Sequence, residues 1–232
     1  MAAADPRLIA RLYQDTRERI GSIVTEPDGS ACGAAVVACP GWSVRDVVAH
    51  VTAVAEDWWR GSLTGPPTDE QTAAQVARFD GCDMAALLVA WSHAAARLDH
   101  KAETVGVAAP LGDVVAHEHD IRGAVGRPGA RDSEAVWQSS DQLLANLRTP
   151  VPLRVTVEDG EYRSGPHGPE ICLRTSRFEA LRWRTGRRSR AQLNAMDWSD
   201  DPTPVLDYLY LFGPAAADVV EDARPGNVVS KP

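Results

Sequence analysis

No apolar run in the 232 residues approaches the roughly 18 needed to cross a bilayer, which excludes a membrane-spanning helix. No Cys-x-x-Cys pair occurs among Cys32, Cys39, Cys82 and Cys172, which argues against cysteine-only zinc sites and thioredoxin-type chemistry. The N-terminal stretch lacks the apolar core of a secretory signal. It carries Asp5, Asp15 and Glu18, where a transit peptide is poor in acids. A cytoplasmic chain with reduced thiols is therefore expected. Lysine is nearly absent: of 24 basic residues only Lys101 and Lys231 are lysine. Positive charge is also in deficit, with 32 acidic residues and a net charge of −8. Such a chain does not attract polyanions in bulk, and it lacks the basic–aromatic interleaving of a nucleic-acid binder. What remains is 44% hydrophobic and 24% charged, the usage of a globular protein of one large or two small domains.

Apolar residues at Leu8, Ile9, Leu12, Ile20 and Ile23 predict an amphipathic helix over 5–25. Glycine and proline make 26–41 a loop. Ser43 with Asp46 has capping-box spacing and opens a helix to about residue 59. A third helical region covers 68–103 with a break at Gly81, and Pro110 precedes a fourth over 111–125. A shorter helix over 133–147 stops at Pro150. Beyond it the pattern changes. Residues 153–157 alternate as a strand, Asp159-Gly160 is a turn signal, and 171–175 reads as the partner strand. Helical patterns follow at 177–184, 189–195 and 203–211, then a loose tail over 218–232. The expectation is an α+β chain: an N-terminal four-helix bundle over residues 1–149 and a small C-terminal α/β domain over 150–232.

Two apolar stripes carry histidine. On the second helix the stripe runs Val47, His50, Val51, Val54 and Trp58; on the fourth it runs Val114, His117, Ile121 and Val125. Asp113 stands one turn before His117 on the same face. Two imidazoles and a carboxylate in a bundle interior suit zinc, and three protein ligands leave a fourth position open. The same residues also read as hydrogen-bonded core histidines, with Asp113 only orienting His117. Glu118 and His119 point to other faces than His117 and cannot share its ion. Asp120 and Glu118 are candidates to accept a ring N–H from a ligating histidine, with Glu118 favoured as a solvated acid paired with Arg122 on the surface. Trp42 is read as packing at the helix entry, and Cys39 as structural.

At these residues the chain resembles a known family. The run Cys39-Pro-Gly-Trp-Ser-Val-Arg-Asp-Val-Val-Ala-His50 is similar to the first signature of the DinB-like metalloenzyme superfamily, and within it to the mycothiol-dependent maleylpyruvate isomerases of actinobacteria. Gly112-Asp-Val-Val-Ala-His-Glu-His-Asp-Ile-Arg-Gly-Ala-Val-Gly-Arg-Pro128 resembles the second. The third is Phe178-Glu-Ala-Leu with Gly186-Arg-Arg-Ser-Arg-Ala-Gln-Leu and Asp197-Trp198. Together they extend over about residues 8–214. The resemblance implies a DinB-like four-helix bundle with a small α/β domain. It also implies a divalent metal, usually zinc, on His50, Asp113 and His117. The best-known form of the motif has glutamate at the Asp113 position, one methylene longer. The implied cosubstrate is the thiol mycothiol, and the implied partner a small electrophile, joined by S-transfer or isomerised cis to trans. Arg187 and Arg188 lie in a run with Arg174, Arg177, Arg182, Arg184 and Arg190. By resemblance they are candidates to hold a carboxylate of substrate or thiol; equally, the run reads as a solvated arginine face. The rival reading of the whole is a non-catalytic metal- or small-molecule-binding protein of the same fold, with a stress or sensor role. Either way no nucleic acid or membrane partner is expected, and the chain is a monomer or homodimer.

Overall fold

Short polar caps and glycine stops set the lengths of the helices. In the computed structural model, which describes residues 4–25 and 30–221, α1 (Pro6–Val24) starts where the Asp5 side chain accepts from the Arg7 N–H. Helix α2 (Val44–Arg60) starts on the expected Ser43/Asp46 capping box and ends at Gly61 in the left-handed conformation. The third helical region is two helices, α3 (Asp69–Ala77) and α4 (Met84–Val105), parted around Gly81 at φ 78°. Helix α5 (Leu111–Ala124) follows Pro110. Helices α1 and α2 each pack against both α4 and α5, which makes the expected four-helix bundle; α3 rests on α2. No described helix is long and apolar enough to cross a membrane.

Helix α5 departs from the amphipathic pattern. Every residue from Val114 to Ile121 is buried, Glu118 completely so. The reading of Glu118 as a solvated acid is therefore corrected. Its pairing with Arg122 is present, but inside: Glu118 Oε1 accepts from Arg122 Nε at 3.0 Å and Nη2 at 2.9 Å. Arg19 of α1 grips the same carboxylate, Nε to Oε1 at 2.8 Å and Nη2 to Oε2 at 2.7 Å. The contact with Glu118 holds the Arg19 guanidinium above its ordinary pKa. A distant arginine, invisible to local periodicity, is what permits the burial.

The chain divides into two units, one running to Gly129 and including Glu221, the other spanning Ala130–Val220. The division thus falls about twenty residues before the expected boundary near Pro150, because α6 (Glu134–Ala145) packs on α7 (Arg177–Arg184) and not in the bundle. The second unit holds a four-stranded sheet of order β2-β1-β3-β4, with β1 (Leu153–Val157), β2 (Gly160–Ser164), β3 (Ile171–Arg174) and β4 (Asp197–Trp198). The hairpin partner of β1 is β2, in register Val155 to Tyr162. The segment expected as that partner is β3, which runs parallel to β1 on its other side. Strand β2 escaped notice because it is an edge strand with no buried residue and hence no apolar alternation. Leu153, Val155, Leu173, Trp183, Leu193, Leu206 and Leu209 fill the core between sheet and helices. Helix α8 (Arg190–Asn194) is as expected, whereas 203–211 holds only a 3-10 turn, Leu206–Tyr208. Of the expected tail, Val219 is tied to Gln192 in both directions, at 3.0 and 3.1 Å; residues 222–232 lie outside the described residues, as do 26–29 of the first loop.

Candidate metal centre

Two features of the local sequence put His50 and Asp113 at one end of facing helices. The Ser43 cap fixes where α2 begins, so His50 falls two turns in, with its side chain 5% exposed. Asp113 is in the first turn of α5, where the helix dipole favours a carboxylate, and His117 is one turn on. Asp113 Oδ1 lies 3.7 Å from His50 Nε2 and 3.7 Å from His117 Nε2. The two rings meet edge to face at 5.1 Å between centroids. A tetrahedral ion with bonds of about 2.0–2.2 Å holds its ligand atoms roughly 3.3–3.6 Å apart, so both Asp113–histidine separations lie within about 0.4 Å of that spacing and the shorter aspartate arm still reaches. The Asp113 side chain is 27% exposed, the open side of an otherwise buried triangle.

The two imidazoles are held differently. His117 Nδ1 is 3.0 Å from Asp120 Oδ2, and the Asp120 side chain is wholly buried. That carboxylate can take only an Nδ1–H, which leaves the Nε2 lone pair facing Asp113. His50 Nδ1 is buried and has no hydrogen-bond partner among the described residues. Trp42 lies against the His50 ring at 5.2 Å, tilted by 57°, which gives it a packing role at the site itself. Behind Asp113, buried Tyr13 accepts a hydrogen bond from Trp91 Nε1 at 2.9 Å. Burial pushes its phenol up, the Trp91 bond works against this, and the Asp113 charge adds to it, so the hydroxyl keeps its proton.

Among the described residues two clusters bring three metal-capable donor atoms within 4.8 Å of one another. The first is His50, Asp113 and His117; Glu118 and His119 belong to neither. The second joins Cys39 to His117 and Asp120. Sequence reasoning set Cys39 aside. Its signal was position: it starts the Cys39-Pro-Gly-Trp42 turn directly before the Ser43 cap.

Arg187 and Arg188 lie in the second unit. Arg187 Nη1 donates to the Thr185 carbonyl at 2.5 Å. Arg188 is buried and forks onto Glu179, Nε to Oε2 at 2.7 Å and Nη2 to Oε1 at 2.6 Å. The solvated arginine face is corrected in part: Arg177, Arg182, Arg184 and Arg188 are all buried. Arg177 is forked on Asp159, and Arg184 reaches the Leu143 and Leu209 carbonyls, with burial bringing its pKa down to about 10.

The family of the mycothiol maleylpyruvate isomerase N-terminal domain matches residues 13–134 of the chain. A crystal structure of the mycothiol-dependent maleylpyruvate isomerase is similar at a TM-score of 0.53 and 17% identity, over 87% of this chain and 94% of that one. A histidine-to-alanine mutant of that isomerase is similar at 0.51 and 14%, over 84% and 92%. At such identities the likeness shows a shared fold. No curated protein matches.

Proposed function

The chain belongs to the family of the mycothiol maleylpyruvate isomerase N-terminal domain, and from that premise we propose a metal-dependent enzyme that activates a low-molecular-weight thiol, mycothiol by family, against a small electrophile. The observation that carries the reading is the single Asp113 oxygen 3.7 Å from the Nε2 atoms of both buried histidines. His50 Nε2, Asp113 Oδ1 and His117 Nε2 would hold the ion. When bound, a divalent ion such as zinc supplies the charge that keeps the thiol sulfur deprotonated at neutral pH.

The chain's own residues do the rest. Asp113 brings one negative charge and the two imidazoles bring none, so a divalent ion and one thiolate make the ligand set neutral. Asp120 holds the His117 ring in the tautomer that ligates. Trp42 and the apolar stripe of α2 shield the His50 side from water. The thiolate then adds to an electrophilic carbon. If the sulfur leaves again after rotation about the former double bond, the outcome is cis–trans isomerisation; if it stays and the carbanion formed by the addition takes a proton from water, the outcome is S-transfer.

The test is metal content of the purified chain beside His50→Ala, Asp113→Ala and His117→Ala, followed by an assay with mycothiol and an activated cis-alkene that reads both thiol consumption and thiol-dependent cis–trans conversion. One divalent ion per chain is expected in the wild type, with loss in each variant and neither thiol consumption nor thiol-dependent isomerisation without metal. Equal trace metal in all four proteins overturns the reading.

A further inference from the structure

We propose that Cys39, His117 and Asp120 form a second metal-binding centre, selective for soft, thiol-seeking divalent ions and exclusive of the first. Cys39 Sγ lies 3.5 Å from Asp120 Oδ2 and 4.0 Å from His117 Nδ1, and these two atoms are 3.0 Å apart. Around a tetrahedral ion with a metal–sulfur bond of about 2.3 Å and nitrogen or oxygen bonds of about 2.0–2.2 Å, the corresponding separations are roughly 3.5 Å from sulfur and 3.3–3.6 Å between the others. The triangle therefore closes on an ion with shifts of a few tenths of an ångström.

The donors are held by backbone as well as by side-chain contact. His117 and Asp120 are three residues apart on one face of α5. Cys39 opens a turn in which its carbonyl accepts from the Trp42 N–H at 3.0 Å, with Pro40 second and Gly41 third at φ 86°. Pro then Gly with positive φ is the type II pattern, and a side chain at Gly41 would be strained. Val36 N–H to Trp42 carbonyl at 2.9 Å and Val44 N–H to Ala34 carbonyl at 3.0 Å clamp the turn onto the start of α2. Cys39 is half-buried while His117 and Asp120 are buried, so an ion has an approach from the sulfur side.

Exclusivity follows from His117. A neutral imidazole has one lone pair. In the first centre Nε2 provides it and Nδ1–H is bonded to Asp120. In the second, Nδ1 provides it and the proton sits on Nε2, facing Asp113. On binding, the Cys39 thiol proton passes to solvent and the ring proton changes nitrogen. Thiolate selects soft ions, whereas the first centre has only nitrogen and oxygen. A soft ion at Cys39 thus disables the first centre by taking its histidine.

The experiment is titration of the full chain with cadmium chloride, watching for thiolate-to-cadmium charge transfer in the near ultraviolet. One equivalent should develop the band in the wild type and in His50→Ala, which keeps the second centre and lacks the first. Cys39→Ser should lose the band, and Cys39→Ser/His50→Ala should bind cadmium at least tenfold more weakly than His50→Ala, each with an unchanged far-ultraviolet circular dichroism spectrum. Asp120→Asn should keep a weaker-binding band. No band in the wild type or in His50→Ala, or an undiminished band in Cys39→Ser, overturns the proposal. Because the His50→Ala arm does not use the first centre, failure here and failure of the thiol-enzyme reading are separate results.

Discussion

Replacing Glu118 by glutamine tests the interior of the bundle most directly. The carboxylate is wholly buried and accepts four guanidinium N–H bonds, two from Arg19 and two from Arg122, at 2.7–3.0 Å. Glutamine keeps one acceptor and turns an N–H group toward a guanidinium that had an oxygen there. Removing one partner of a buried ion pair costs about 3–5 kcal/mol. The Arg19 side chain is 30% exposed and Arg122 15%, so both have some recourse to water, and about 2–4 kcal/mol is the better expectation. For a chain of this size each kcal/mol moves the melting temperature by roughly 2–4 °C, so a fall of about 4–16 °C follows. Thermal denaturation followed by circular dichroism measures it, with Arg122→Gln and the double variant closing a cycle. Since each single change disrupts the same Glu118–Arg122 contact, the double variant should be less destabilised than the sum. A Glu118→Gln protein within about 1 °C of wild type, or a cycle with no coupling, would refute the inference that this carboxylate organises α1 and α5.

Two further outcomes are expected. Asp120→Asn should weaken zinc binding by roughly 10–100-fold in calorimetric titration, since the asparagine no longer enforces the Nδ1–H tautomer of His117 with a charge; unchanged affinity would remove Asp120 from that role. Asp159 is held below the usual carboxylate range chiefly by its hydrogen bond to Arg177. The stability it contributes is present above the ordinary aspartate value of about 3.9 and is lost as pH falls through the lowered folded-state value. Asp159→Asn should therefore be less stable than wild type near neutrality and flatter in its response to acid below about pH 4, read from urea midpoints across pH.

The α-helices and the His50–Asp113–His117 triangle were legible because each rests on local pattern: a capping box, a 3.6-residue stripe, a carboxylate one turn from a histidine. What escaped depends on partners far along the chain. Glu118 looked like a surface acid because Arg19 lies 99 residues away. Strand β2 carries Glu161 and Arg163 where a buried strand would carry apolar residues. The division near Ala130 was not legible because α6 reads locally like any bundle helix, and only its packing on α7 places it in the second unit. Cys39 lies 78 residues from His117, and no spacing rule joins a turn to the middle of a helix.

The charged rim of β2 has a consequence for the company the second unit keeps. Arg163 bonds both Glu161 and Glu170, and Arg154 reaches across to Glu161. The opposite margin of the sheet, β4, is two residues long. A stray strand seeking to extend the sheet would meet an already neutralised lattice of guanidinium and carboxylate on one border and almost no backbone to copy on the other. The unit is thereby guarded against templated, amyloid-like growth without needing a lid over either margin.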